Sequence, residues 1–460
     1  MSEILALLKN IAPLFGSTVF RQMSHVIFGE LAINGRMTML GLSRWTEKGG
    51  SYRTIQRFFS ESLPWKAIQW LFFQKCILKK DDEYVIFGDE VVISKAGKKT
   101  YGVDYFFSGL QQQVIPSLSL FVLSLANTKE ERSYPMEVTQ IVKTVEEKAA
   151  SKAKAEAKKV KKPAEKRKPG RPKGSKNKEK KAPELNPELL RIQTSLESLL
   201  KTVDATIPLT YLVMDGHFGN YPSAFMVRGI NLHLISKLRS DAALFPAFEG
   251  KHPGPGPKPK YGEKIDVRKL DEKYRMESSV DNKEQMRLEV YQRQLYNKEF
   301  AFALNVVILV KTNLKTQAQA HVILFSTDLD LSYEKIIKFY TMRFKIEFNF
   351  RDAKQYWGLE DFTSSRCSFG VNVKQTAVTN AVNLPFFMVN FSSVLSQPFR
   401  DQNPDYSILD LKSNYRARRY VSEIINMLPE KPDSILLADI FQQIAQMGAI
   451  HPSLHPADSS

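Results

Sequence analysis

FYTMRFKIEFNFRDAKQYWG, residues 339–358, places polar side chains where a helix would bury apolar ones. At about 100° per residue, Tyr340, Arg343, Glu347 and Lys354 fall within an arc of roughly 60° on an ideal helix. Thr341, Lys345, Asn349 and Asp352 lie opposite and predict an ordinary wet face. Phe339, Ile346, Phe350 and Trp357 flank the first stripe on one side, with Phe344 and Phe348 on the other. The expectation is one helix whose Tyr/Arg/Glu/Lys stripe turns toward the rest of the protein. Burying unpaired charge is expensive, so these groups either satisfy one another or line a site built for something charged.

Two upstream segments end in or carry carboxylates. YVIFGDEVVI, residues 84–93, reads as a buried strand with Asp89 inside it, and LTYLVMD, residues 209–215, as a second ending at Asp215. Asp89, Asp215 and Glu347 are far apart along the chain, so no local motif joins them. Taken with these aspartates, the spacing Tyr-x2-Arg-x3-Glu-x6-Lys resembles the signature of cut-and-paste DNA transposases. These have an RNase H-like catalytic domain, and the resemblance is to the bacterial insertion-sequence group called IS-four. Gly88-Asp89-Glu90-Val-Val-Ile-Ser-Lys95-x-Gly97-Lys98 resembles that group's first-aspartate motif, with Val91 where the group has Thr. Val213-Met-Asp215-Gly-His-Phe-Gly-Asn is the stronger match, and His217 within it reads as a turn residue.

The resemblance implies an α/β fold: an RNase H-like mixed sheet with flanking helices, a β-rich insertion before the glutamate helix, and an N-terminal helical DNA-binding domain. It implies that Asp89, Asp215 and Glu347 are catalytic and hold two Mg2+ ions, for which Mn2+ is a possible substitute. Hard Mg2+ prefers carboxylate oxygens and water, and a pair of such ions suits phosphodiester chemistry. Tyr340, Arg343 and Lys354 would hold phosphate oxygens of the transposon end. Lys237 and Arg239 could add phosphate contacts, although a solvated strand face explains them equally well. The implied partner is double-stranded DNA, both transposon ends and target, with at least a dimer in the synaptic complex and no nucleotide cofactor. In that group the freed 3′-hydroxyl forms a hairpin on the transposon end, reopened before strand transfer.

Further readings come from the residues themselves. Residues 1–78 read as short helices. Within them Ser51 is an expected N-cap, and Arg53 and Arg57 stand four apart on one helix face. That pattern resembles a helix-turn-helix DNA reader, and equally an amphipathic helix with solvated arginines. Residues 79–142 and 186–239 read as the two halves of the catalytic core, 240–331 as the β-rich insertion, 332–400 as the glutamate helix and its successors, and 401–460 as a helical region and tail.

Residues 143–185 read as a basic, disordered insertion. The chain's net charge is +17, but 148–181 alone holds 16 Lys/Arg against 3 Glu. Inside it Lys166-Arg-Lys-Pro-Gly170-Arg171-Pro172-Lys173-Gly resembles an AT-hook, which lies in the minor groove of A·T-rich DNA. Pro169 replaces the usual Arg before the glycine. Arg171 and Lys173 would then contact DNA; a solvated linker is the plainer alternative.

Several classes are excluded. Cys76 and Cys367 stand in no metal-ligand spacing and form no disulfide framework. The amino terminus lacks a basic region followed by a cleavage site, and no uninterrupted apolar run approaches the roughly 20 residues of a membrane span. A protein of the bacterial cytoplasm, associated with the nucleoid and not with a membrane, is expected. Gly97-Lys98-Lys99-Thr100 lacks the earlier glycine of a phosphate loop, and the prolines beside His451 and His455 argue against a zinc site. The competing functions are a DNA-binding relic without chemistry and an RNase H-like nuclease or resolvase without strand transfer.

Overall fold

A run of β-branched and aromatic residues forms β1 (Tyr84–Ser94), buried on both faces over its first half. Beside it lie the antiparallel β3 (Gln113–Asn127) and the short parallel β5 (Tyr211–Val213). The hairpin partner of β3 is β2 (Asp104–Ser108), and β4 (Arg132–Ile141) pairs the other edge of β3. Beyond β5 comes the parallel β6 (His233–Leu238). The order β4-β3-β1-β5-β6, with two antiparallel steps on one side of β1 and two parallel steps on the other, is that of an RNase H-like core.

The computed structural model describes residues 2–46, 49–95, 100–149, 153, 182–251, 254–255, 257–281, 283–361, 374–430, 432–447 and 449–451. The AT-hook-like segment with Arg171 and Lys173 lies outside these residues, as do Gly97 and Lys98.

Residues 240–331 add five more strands: β7 (Leu244–Phe245), β8 (Arg275–Asp281), β9 (Met286–Asn297), β10 (Ala303–Asn313) and β11 (Gln319–Ser326). They do not form a separate sheet. β11 pairs antiparallel with β6, from Ile323 opposite Leu238 to Ser326 opposite Ile235, so the sheet continues outward to β10, β9 and β7.

Side chains alternate across this sheet and divide the core in two. On one face Phe87, Val91 and Ile93 of β1 pack with the N-terminal helices α1 (Ser2–Lys9), α2 (Ser17–Ala32), α3 (Met39–Trp45), α4 (Tyr52–Ser60) and α5 (Trp65–Cys76). On the other, Tyr84 and Ile86 pack with α6 (Pro187–Val203) and α7 (Tyr221–Gly229). The first face is completed by α8 (Tyr333–Met342), α9 (Lys345–Gln355), α10 (Gln375–Arg400) and α11 (Ile408–Met427); α12 (Ser434–Gln446) packs on α11.

Although α10 is long and apolar enough to cross a membrane, 83% of its most apolar window is buried inside the protein. Its polar residues explain that placement. Asn380 accepts from Trp65 Nε1 at 2.8 Å and donates toward the carbonyls of Phe58, Phe59 and Glu61 at 3.3, 3.0 and 2.8 Å, closing the C-terminal end of α4. Asn390 donates to Gln69 Oε1 and to the Pro135 carbonyl. Ser51 caps α4 as expected, accepting from the Thr54 amide. The N-terminal helices therefore share one core with the helix that carries Glu347.

Replacing Asn380 with Leu strands a buried indole N–H and the carbonyls ending α4. The expected loss is about 2–4 kcal/mol, given roughly 1–3 kcal/mol per unsatisfied buried group. Urea unfolding followed by circular dichroism measures it, and a loss below about 0.5 kcal/mol would show that Asn380 is not a tie between the two regions.

Candidate active site

Strand register brings the first two carboxylates together. Phe87 of β1 pairs with Val213 of β5 in parallel. Asp89 and Asp215 each stand two residues farther along, near enough for Asp215 to act electrostatically on Asp89. Asp89 is still within β1, whereas Asp215 has just left β5 and caps a 3-10 turn, its Oδ1 accepting from the His217 amide at 3.0 Å. Ser236 Oγ holds the Asp215 carbonyl at 2.6 Å. A Cβ on Gly219 would lie 2.1 Å from the Lys237 carbonyl, so only glycine lets this turn close on β6.

Residues 339–358 are not one helix. α8 ends at Met342 and α9 starts at Lys345, with a tightened turn at Arg343 and Phe344 marked by bonds from the Ile346 amide to Arg343 O and from the Glu347 amide to Phe344 O. The buried arc is centred on Phe339, Ile346, Phe350, Ala353 and Trp357. The Tyr/Arg/Glu/Lys stripe lies beside that arc, at the boundary between core and solvent. Asn349 belongs to the buried side, not to a wet face: its amide donates to Ser133 Oγ of β4 at 2.9 Å, and Asp352 is half-buried. The outward side instead carries Phe344 and Phe348, exposed and in edge-to-face contact at 5.4 Å. Apolar residues on the outward face and a polar one on the inward face displaced the expected pattern.

Arg343 joins the helix to the sheet. Its Nη1 lies 2.8 Å from Asp89 Oδ2 and its Nη2 3.4 Å from Glu347 Oε1, with the guanidinium largely buried. Tyr340 stands beside it, ring centre 5.9 Å from the guanidinium carbon, and burial pushes its hydroxyl pKa upward. Lys354 reaches the Val92 carbonyl of β1 at 3.3 Å and pairs with Glu360 at 3.3 Å. Tyr340, Arg343, Glu347 and Lys354 thus all face the region around Asp89. The other expected contacts among the described residues are all exposed. Lys237 is exposed beside the Asp215 turn, Arg239 is exposed and forked onto Asp241, and Arg53 and Arg57 are exposed on α4. Glu90 points to the opposite face, where Ser119 Oγ donates to it, so it is no partner for Glu347. His217 sits in its turn as expected, its Nε2 3.7 Å from Glu188.

The electrostatics at Asp89 are dominated by burial. Burial pushes the Asp89 carboxyl up to about 6; Arg343 and the Glu90 amide oppose this, while Asp215 and Glu347 push in the same direction as burial. Among the described residues no three carboxylate, His or Cys side chains converge on one point as a closed metal cage. The donor set still fits Mg2+, which takes one or two carboxylates per ion and leaves its remaining positions to water and phosphate oxygens. Arg343, between Asp89 and Glu347, stands where positive charge is demanded.

A cation bound by Asp89 should stabilise the fold. Tenfold excess of Mg2+ over its dissociation constant contributes about 1.4 kcal/mol, seen as a rise in melting temperature in wild type and absent in Asp89→Asn. Protons compete for Asp89, so the rise should shrink as pH falls through about 6. Without metal the sign reverses: a carboxyl raised in the fold adds stability that is full below its unfolded value and lost as pH rises through about 6. A Mg2+ effect of equal size in the Asp89→Asn variant would refute this assignment.

No curated protein matches the chain. A family model described as DDE superfamily endonuclease matches residues 10–298, well over half of the chain, and that span includes Asp89 and Asp215 but ends before Glu347. With a mixed RNase H-like sheet and a family match over that span, the chain belongs to the DDE superfamily endonuclease family.

Proposed function

We propose that this protein is a transposase encoded by an insertion sequence, acting on double-stranded DNA in a bacterial cytoplasm. It excises the element at its terminal inverted repeats and joins the freed ends to target DNA. The observation that carries this reading is the bridge from Asp89 through Arg343 to Glu347, with Asp215 just past the end of the neighbouring strand. It sits on the spacing Tyr340-x2-Arg343-x3-Glu347-x6-Lys354, which resembles the IS-four signature.

Asp89, Asp215 and Glu347 would hold the divalent metal. When bound, it supplies activation of the attacking hydroxyl and neutralisation of the leaving oxygen. In the first reaction water attacks phosphorus, the bond to the 3′-oxygen breaks, and that oxygen leaves as a 3′-hydroxyl. In the second that hydroxyl attacks a new phosphodiester and displaces its 3′-oxygen, so bond number is conserved and no energy source is needed. Arg343, bonded to Asp89, and Lys354, bonded to the Val92 carbonyl, would meet a phosphate brought to these carboxylates. Once Asp89 and Glu347 are otherwise engaged, the Arg343 guanidinium can fork onto two phosphate oxygens. Tyr340 limits its swing. Two copies of the chain are required to hold two DNA ends together.

Asp89→Asn, Asp215→Asn and Glu347→Gln should each lower Mg2+-dependent nicking of a duplex carrying the inverted repeat by at least 1000-fold, since oriented electrostatic stabilisation is worth several powers of ten, with binding retained. Wild-type activity in these variants would refute the reading. Transfer of a labelled end into a second duplex separates a transposase from a nuclease, and binding without any cleavage identifies a relic. Deleting residues 148–181 should weaken binding at low salt and flatten its salt dependence, while the nicking rate at saturation holds; unchanged binding would remove that tract from DNA recognition.

A further inference from the structure

One apolar surface near the site has no partner among the described residues. β1 ends at Ser94, opposite Ser117 of β3, and β4 leaves β3 at Ser119. The Lys95 amide extends this pairing to the Pro116 carbonyl at 2.8 Å, so among the described residues 113–115 of β3 pair only with β2, as a two-stranded ribbon projecting past the sheet. On β3 the residues sharing a face with Asp89 are Val122, directly opposite it, then Leu120, Leu118, Pro116 and Val114. Tyr105 and Phe107 of β2 pair with Pro116 and Val114 and so join that face. Tyr105, Phe107 and Val114 are 63%, 57% and 58% exposed, and Leu110 at the turn is 94% exposed.

The reverse side of the ribbon is braced. Lys143 lies over the Phe106 ring at 4.4 Å and donates to the Tyr105 carbonyl, while Asp104 pairs with Lys143 and Lys148 at 3.8 and 3.2 Å. The ribbon is thus held in place by one side while an aromatic side is left open, on the catalytic face. Eight residues of β3 separate the Asp89 row from the Phe107 row, roughly 27 Å at strand rise. Lys354, bonded to the Val92 carbonyl, stands between them.

We propose that this ribbon is a DNA-contacting wedge. It engages the duplex about eight base pairs from the scissile phosphate by pressing Phe107 and Leu110 against the sugars and bases of a groove. The proposal rests on the DNA-cleaving reading of the neighbouring carboxylates. Three observations favour DNA over a protein partner. The span continues the line from Asp89 through Lys354. Gln111, Gln112 and Gln113 at the tip offer amides suited to base edges. The chain also leaves Lys148, at the base of the ribbon, directly into the segment with 16 Lys/Arg against 3 Glu between 148 and 181, a charge suited to a polyanion. Apolar side chains that unstack a base step beside basic contacts are a recurrent way to bend DNA.

The test uses the full-length protein, a fluorescein-labelled 40-base-pair duplex of mixed sequence, and EDTA, so that chemistry plays no part. The double variant Phe107→Ser/Leu110→Ser should bind roughly tenfold or more weakly, with an unchanged slope of log affinity against log salt, because no phosphate contact is lost. In a second variant, Phe107→Trp, the added indole should be quenched on duplex addition. Binding that survives the serine substitutions, without quenching of the indole, overturns the wedge alone. A lost dimer in DNA-free solution overturns it in favour of contact with a second copy. Failure of wild type to bind any duplex overturns both this proposal and the reading on which it rests.

Discussion

The Arg343 guanidinium, held between Asp89 of the sheet and Glu347 of the following helix, is the contact on which the site depends. Burial at the boundary of the core, with a smaller push from Asp215 and Glu347, raises the Asp89 pKa. A side chain that is always charged and forked can serve two of them at once. The same arrangement explains why the site can exchange occupants: whatever positive charge enters between these oxygens releases a cation already aimed at a phosphate.

The scaffold converts strand register into carboxylate spacing. The parallel pairing of Phe87 with Val213 directs the chain so that Asp215, in the turn held by Ser236, comes near Asp89. The helix bearing Glu347 is fixed from behind by Ile346, Phe350 and Trp357, and from the side by Asn349 on Ser133. α10 ties this layer to the N-terminal helices through Asn380 and Asn390. Movement of the N-terminal helices against the catalytic helix would break buried hydrogen bonds, so both are presented to a ligand as one surface.

Much of this was legible in the sequence, because apolar runs flanking a carboxylate mark a buried strand. The strands carrying or leading to Asp89 and Asp215, and those near 287, 303 and 320, all follow from such runs. β4 was not legible. Pro135 argues against a strand, yet it is tolerated here because β4 is an edge strand with a bulge opposite Leu123 and Ser124. The continuous helix over 339–358 was also misread, since an ideal 100° period takes no account of the tightened turn at Arg343 and Phe344. Asn349 was assigned to solvent because polarity alone does not reveal a partner such as Ser133, more than 200 residues away. The outward Phe344 and Phe348 had a signal in the helical wheel, two aromatics opposite the apolar arc. The motif resemblance favours Asp89 over Glu90, and the sheet places Glu90 on the α6 side.

The most direct measurement is anomalous diffraction from crystals of the wild-type protein with a duplex and Mn2+. Manganese peaks about 2.1 Å from carboxylate oxygens of Asp89, Asp215 and Glu347, with the Arg343 guanidinium turned onto a phosphate, are the predicted result. Manganese bound elsewhere, while Arg343 keeps its bridge from Asp89 to Glu347, would contradict the account.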